Sequence, residues 1–347
     1  MPTTLAELTT LRLGGPARRL VRAETEEDLV ALVREADAAS EPLLVLAGGS
    51  NVVVADDGFP GTVVLVATRG ADERDDVLRV AAGEPWDPLV ARCVDAGLAG
   101  VECLSGIPGS VGATPIQNVG AYGQEVSETV AHVRVLDRRS GAVEELPPEA
   151  CGFAYRSSAF KRDPTRWVVL AVTFALARDP LSQPIRYAEL ARALDVGIGE
   201  RAPLRDVREA VLALRRRKGM VIDAADPDSV SAGSFFTNPI LGAEDFARLE
   251  ARAGDRLPRW PEAGGRVKTS AAWLIERAGF TKGYGDPATI AISSKHTLAL
   301  TNRGAGTAAQ LVTLAREIAD GVEREFGIEL HPEPVFVGHE WPHSSRA

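Results

Sequence analysis

Positive charge is in short supply in this sequence. Lys and Arg number 39 against 48 Asp and Glu, a formal net charge of −9 over 347 residues. A nucleic-acid binder needs a basic face to displace counterions from phosphates, so nucleic acid is excluded as a main partner; a small anion gripped by a local cluster of arginines is not. Cysteine is scarcer. Cys93, Cys103 and Cys151 form an odd set without a Cys-x-x-Cys spacing, which excludes a disulfide framework or a zinc knuckle and leaves three small core residues suited to a reducing compartment. The histidines, His132, His296, His331, His339 and His343, give no metal spacing, because Pro342 breaks any helix that would align the last two, and no metal is expected. Apolar runs fall short of the roughly 20 residues of a membrane span. The stretch from Met1 to Thr10 has neither a basic start nor a long apolar run, so no signal peptide is expected and the expected compartment is the cytoplasm.

What remains is an ordinary globular composition, 45% hydrophobic and 25% charged, on a chain long enough for two domains. Residues 19 to 36 read as a strand and a helix capped by Thr25, and Leu43 to Leu46 as a short buried strand. Gly61 to Ala67 and Val77 to Ala82 follow as strands, then a helix over 86 to 96. Val130 to Leu136 and Ala142 to Leu146 flank a hairpin signal at 137–141, and Trp167 to Leu176 is a further strand. Beyond Pro180 and Pro184 helical spacing takes over at 204–217, 242–252, 267–278 and 307–326, before a last strand from Ile328 to Val337. The boundary between halves is expected at 180 to 200.

Two glycine-rich turns stand out in the first half. One is Gly48-Gly49-Ser50-Asn51, directly after the strand run ending at Leu46. The other runs from Ser105-Gly106-Ile107-Pro108-Gly109 through Gly112-Ala113 to Asn118 and Gly120-Ala121-Tyr122-Gly123, with five glycines in nineteen residues and almost no charge. Such segments make poor helices and strands, but they let bare backbone N–H groups approach an anion. Neither fits Gly-x-Gly-x-x-Gly or the P-loop pattern. Taken together, with Asn51 and Asn118 as side-chain donors, they point to the pyrophosphate of a dinucleotide lying between them; each alone reads equally as a tight loop. Further along, Tyr155-Arg156-Ser157-Ser158-Ala159-Phe160-Lys161 offers an arginine able to grip a carboxylate or phosphate. Ser231 to Pro239 presents Ser234 on a flexible turn beside two phenylalanines, without the Gly-x-Ser-x-Gly elbow of a nucleophile. Arg215-Arg216-Arg217-Lys218 closes a helix, where cations suit the dipole or a diphosphate. Glu333 lies in a proline-flanked strand.

In this order the motifs resemble the flavin-dependent UDP-N-acetylenolpyruvoylglucosamine reductases (UDP-N-acetylmuramate dehydrogenases, the MurB family), in the subgroup with a tyrosine loop. Leu11-Arg12-Leu13-Gly14-Gly15-Pro16-Ala17, the two glycine turns, Tyr155-Arg156 with Phe160-Lys161, Ala232-Gly233-Ser234-Phe235-Phe236 with Asn238-Pro239, and Ala272-Trp273-Leu274-Ile275 carry the likeness from about Thr10 to Gly338. The resemblance implies an α+β fold: a two-lobed FAD-binding domain of the vanillyl-alcohol-oxidase (PCMH) type over 1–180, with lobes of about 1–68 and 69–180. A linker with the tyrosine loop over 181–203, an α+β substrate-binding domain over 204–338 and a polar tail over 339–347 would follow. It implies FAD held by the turn residues Gly48, Gly49, Ser50, Asn51, Ser105, Gly106, Ile107, Pro108, Gly109, Gly112, Ala113, Asn118, Gly120, Tyr122 and Gly123. It further implies catalysis by Arg156, Ser234 and Glu333, and a UDP-sugar enolpyruvyl ether held by Tyr187, Lys218 and Asn238. NADPH would be the reductant and the protein a monomer. His331, Pro334 and Thr237 depart from the family pattern. Two rivals stay open on the residues alone: another FAD-dependent oxidase or dehydrogenase of the same fold, and a catalytically inactive nucleotide-binding protein.

Overall fold

A computed structural model describes residues 4–74, 77–254 and 256–341. The chain divides into two compact units that interleave along the sequence. One gathers Ala17–Gly49 and Phe59–Arg217; the other gathers Met1–Pro16, Ser50–Gly58 and Lys218–Ala347.

In the first unit, Phe59–Val66 is the middle of a three-stranded parallel sheet between Ala17–Ala23 and Leu43–Leu46. Parallel neighbours need a crossover, and helix Glu26–Ala38 supplies one. Thr25 caps it in a reciprocal capping box with Asp28, and its apolar face buries Leu29, Val33 and Ala36. The second sheet is antiparallel, in the order Val143–Leu146, Val130–Asp137, Trp167–Ala175, Val77–Ala81, Ala71–Arg74. Its valines and leucines, with Trp86 and Phe174 5.9 Å apart, fill one continuous core. Helix Trp86–Asp95 packs into that core through Leu89, Val90, Cys93 and Val94.

The second unit is built around helix Ala308–Phe326. Leu311, Leu314, Ala315, Ile318, Val322 and Phe326 are buried along it, as their spacing predicts, and Gly327 ends it in a left-handed conformation (φ 70°). Helix Ala271–Arg277 and the paired strands Ile290–Ile292 and Leu300–Asn302 share the same core. Strand Val335–Val337 lies parallel to Val52–Val54, the residues that follow the first glycine turn.

The structure departs from expectation in three places. The 267–278 stretch is not one helix: Val267–Thr269 is a strand between Ile240–Leu241 and Arg259–Pro261, and Ser270 then caps the helix. Two β-branched residues flanking Lys268 and the hydroxyl cap outweigh the helical spacing. The last strand shrinks to Val335–Val337, because Pro332 and Pro334 cannot donate to a ladder. The expected linear domain boundaries also do not match the packing. Residues 181–203 hold a helix, Ala188–Leu194, and Ile185, Leu190, Ala191 and Ala202 share a buried cluster with Cys103 and with Val207, Val211 and Leu214 of helix Leu204–Arg217. That helix therefore belongs with the first unit. Leu11, Leu13 and Val53 join the core of the second. All three cysteines are free and buried, and burial pushes the thiol of Cys93 up to about 11. No helix among the described residues is long and apolar enough to cross a membrane.

In the second unit Asp228 fastens the segment before Ser234 to Ser294 and Arg303, on either side of strand Leu300–Asn302. Its carboxylate accepts from the Ser294 amide at 2.8 Å, the Ser294 hydroxyl at 2.6 Å and Arg303 at 2.9 Å. Burial pushes its carboxyl up, but the Ser294 donors and Arg303 outweigh that and hold it below the ordinary value. Asp228→Asn should cost about 2–3 kcal/mol at neutral pH, since it leaves a partly buried guanidinium without its counter-charge. A depressed carboxyl contributes stability above its unfolded pKa and loses it as pH falls through the folded one. The gap between wild type and variant, read by urea unfolding, should therefore be full at pH 6 and close as pH drops below about 4.

Candidate flavin and substrate site

The two glycine turns meet. A Cβ built on Gly48 would stand 2.6 Å from the Gly109 Cα and 3.2 Å from the Ser110 nitrogen. Only a residue without a side chain permits that approach. The second turn is hung on the start of helix Trp86–Asp95 and the strand before it. The Trp86 amide donates to Gly109 O at 3.0 Å and its indole to Leu104 O at 3.1 Å. Val111 N–H donates to Glu84 O at 2.9 Å and Gly112 N–H to Ala82 O at 2.8 Å; a Cβ on Gly112 would sit 2.5 Å from the Ala82 Cβ. Asp87 accepts the Gly106 amide at 2.6 Å. Within this cradle the Ser110 hydroxyl is buried with no hydrogen-bond partner among the described residues. A buried, unsatisfied hydroxyl between two bare backbone turns fits a bound phosphate oxygen, which would supply the missing partner.

The far end of the glycine segment closes a tight hairpin. Gly120–Ala121 pairs with Gln124–Glu125 across Tyr122 (φ 51°) and Gly123 (φ 82°), the positive dihedrals a two-residue hairpin turn requires. Arg156 (φ 51°) reaches back to it, donating to Gly120 O at 2.6 Å and Asn118 O at 3.4 Å. Asn118 (φ 46°) donates through its amide to Glu125 at 2.7 Å and Ala154 O at 3.2 Å, and accepts from Ser127 N–H at 3.1 Å. Its side chain thus braces the Arg156 turn. Three non-glycine residues with left-handed backbone gather here, where such strain accompanies function. Tyr122 stacks edge-on against Tyr187 with ring centroids 5.5 Å apart. Burial pushes the Tyr122 phenol up to about 12 and raises that of Tyr187, so both stay protonated at neutral pH. Arg215 lies near enough to feel Tyr122, Asp87 and Arg156; burial lowers its pKa, and the guanidinium stays charged. Arg156 and Arg215 thus add positive charge to this region of a chain whose net charge is −9.

The second unit carries the other expected groups. Ser234 precedes Phe235 and Phe236, both buried in an aromatic cluster with Phe336 and Trp341. The Glu333 amide donates to Phe235 O at 2.8 Å, and Asn51 donates through its side chain to Glu333 O at 3.3 Å. Ser234, Glu333 and Asn51 are therefore drawn to one place. The Asn238 side-chain oxygen accepts the Ala271 amide at 3.0 Å and so holds the start of helix Ala271–Arg277. Lys218 follows helix Leu204–Arg217 directly and opens the last segment of this unit. Among the described residues no group of His, Cys, Asp and Glu is arranged to hold a metal ion.

Comparison with known proteins settles the family. Residues 226–337 match the C-terminal domain of UDP-N-acetylenolpyruvoylglucosamine reductase, and residues 17–146 match an FAD binding domain. The UDP-N-acetylenolpyruvoylglucosamine reductase of Thermobifida fusca is 59% identical over 346 residues, covering 96% of each chain. The chain belongs to the UDP-N-acetylenolpyruvoylglucosamine reductase family. The Mycobacterium marinum relative is 52% identical over 96% of this chain and 94% of its own. The crystal structure of the Thermus caldophilus reductase superposes with a TM-score of 0.67 at 27% identity, covering 96% of this chain and 97% of that one. Like its relatives, the protein is an FAD-binding oxidoreductase acting on a UDP-sugar enolpyruvyl ether, and its fold is the expected α+β FAD-binding domain with a family-specific C-terminal domain.

Reading the sequence missed Ser110, although it sits inside the motif, because only contact geometry reveals an unsatisfied hydroxyl. It also missed Asp87 and Trp86, whose roles come from pairing with distant loops. If the turn contact seats the flavin, Gly48→Ala should weaken FAD binding by at least about tenfold, or 1.4 kcal/mol, because its Cβ must displace backbone. Gly242→Ala, whose Cβ meets nothing nearer than 3.8 Å, should leave affinity unchanged. Fluorescence titration of the apoproteins with FAD checks both.

Proposed function

We propose that the protein reduces UDP-N-acetylglucosamine enolpyruvate to UDP-N-acetylmuramate with NADPH in the cytoplasm, as a step of peptidoglycan precursor synthesis, and so serves cell-wall biogenesis, cell shape and division. FAD, when bound, would supply the hydride chemistry that links NADPH to the vinyl group of the substrate. In this reading Gly48, Gly49, Ser50, Asn51, the 105–113 turn and the Asn118–Gly123 segment hold the cofactor. The observation that carries the assignment of roles is the backbone bond from Glu333 to Phe235, which brings Glu333 and Ser234 to one place.

Arg156 serves as the fixed cation for the substrate carboxylate, whose charge grows as the double bond is reduced. Its bonds to Gly120 and Asn118 orient it beforehand. Ser234 gives its hydroxyl proton to the carbon next to the carboxylate. Glu333, in its protonated form, donates a hydrogen bond to that carboxylate. Tyr187, set against Tyr122 at the start of helix Ala188–Leu194, covers the diphosphate-sugar, with Lys218 and Asn238 as further substrate contacts.

The division of labour is open to direct measurement. In stopped-flow experiments Ser234→Ala should leave flavin reduction by NADPH within about twofold of wild type, while slowing reoxidation by the UDP-enolpyruvyl sugar by a factor on the order of 100 or more, the range for loss of a positioned acid. Equal loss in both half-reactions contradicts the role given to Ser234. Wild-type protein that consumes NADPH at the same rate with and without the sugar contradicts the function itself.

A further inference from the structure

One ion pair in the flavin-binding unit has no part in the account above. Arg208, on helix Leu204–Arg217, holds Asp87 through both guanidinium nitrogens, Nη1 to Oδ1 at 2.6 Å and Nη2 to Oδ2 at 3.0 Å. The pair is mostly shielded, with 17% of the Arg208 side chain and 33% of the Asp87 side chain exposed. The oxygen that takes Nη1 also accepts the Gly106 amide at 2.6 Å. A single carboxylate thus joins a helix 121 residues further along the chain to the turn whose other end lies against Gly48. Asp87 sits in the first turn of helix Trp86–Asp95, next to Trp86, which holds Leu104 and Gly109 of the same turn.

We propose that Arg208 and Asp87 are positioning residues for the flavin-binding turn, with Arg208 cancelling the charge that Asp87 needs in order to hold Gly106. The inference rests on the reading that this turn seats the FAD pyrophosphate. The physical conflict is plain. A carboxylate is a strong acceptor for a backbone amide, so it fixes Gly106 well, but it also places a negative charge beside a cradle meant for a dianionic diphosphate. Like charges repel strongly at short range in a partly shielded site, where the dielectric is well below that of water. The guanidinium fork removes most of that repulsion while leaving the carboxylate oxygen available to Gly106. Burial pushes the Asp87 carboxyl up, yet Arg208 and the Gly106 amide outweigh it and keep the group ionised at neutral pH.

The clamp gives a pattern that a purely structural brace does not. Arg208→Gln should weaken FAD binding to the apoprotein by tenfold or more, and the loss should shrink at high salt as the uncancelled charge is screened. Arg208→Lys, which keeps the charge but not the fork, should stay within threefold of wild type. The double variant Asp87→Asn with Arg208→Gln should recover to within threefold, because the charge is gone and the asparagine oxygen still accepts from Gly106. Affinities come from quenching of FAD fluorescence, with far-UV circular dichroism of each apoprotein to show that it is folded. FAD binding by Arg208→Gln within twofold of wild type overturns the proposal, as does a double variant as weak as the single. If Arg208→Gln does not fold, the lysine and double variants decide alone. Failure of wild-type apoprotein to bind FAD at all would instead overturn the reading of the turn as the flavin seat.

Discussion

The contact of Gly48 with Gly109 is the constraint on which the flavin-binding unit depends. Two backbones close to within van der Waals distance with no side chain between them, and the geometry follows from what surrounds each turn. The first is the end of a parallel strand, Leu43–Leu46, fixed in register against Phe59–Val66. The second hangs from helix Trp86–Asp95 by the bonds of Trp86 and Asp87. Neither turn resembles a standard nucleotide fingerprint, and they meet only because a strand and a helix of one unit bring them together.

The same economy governs the segment assigned to the cofactor and the arginine that reaches back to it. Asn118, Tyr122 and Arg156 all adopt left-handed backbone, a conformation that a side chain tolerates only when neighbours enforce it. The enforcement is visible: Asn118 is bonded on three sides, and the Arg156 turn is closed by reciprocal bonds between Ala154 and Ser157. In the other unit, a cluster of four aromatic rings and the Asp228 anchor hold the Ser234 loop. Each unit thus fixes its own loops through hydrogen bonds and aromatic packing within itself.

Much of this was legible in the sequence, and the rest was not for identifiable reasons. Helix Ala308–Phe326 and the Thr25-capped helix were readable from spacing and caps, because each buries one stripe and ends on a defined signal. The glycine turns were readable as irregular loops because no regular element suits them, whereas their contact at Gly48 and Gly109 was not. Val267–Thr269 was not, since three residues are too few to show a period and the pairing partners lie elsewhere in the chain. The placement of helix Leu204–Arg217 with the first unit was hidden for a similar reason: Val207, Val211 and Leu214 reveal a buried face but not what covers it. Asn118 read as a donor by residue type, whereas its role as a brace appears only once Glu125, Ser127 and Ala154 surround it.

The most direct test of the central claim is amide hydrogen exchange of the apoprotein with and without FAD. Exchange should slow at residues 47–49 and 105–113 when the cofactor binds, while helix Ala308–Phe326 of the other unit stays unchanged. Tight FAD binding with no protection at either glycine turn, and protection elsewhere instead, would contradict the account.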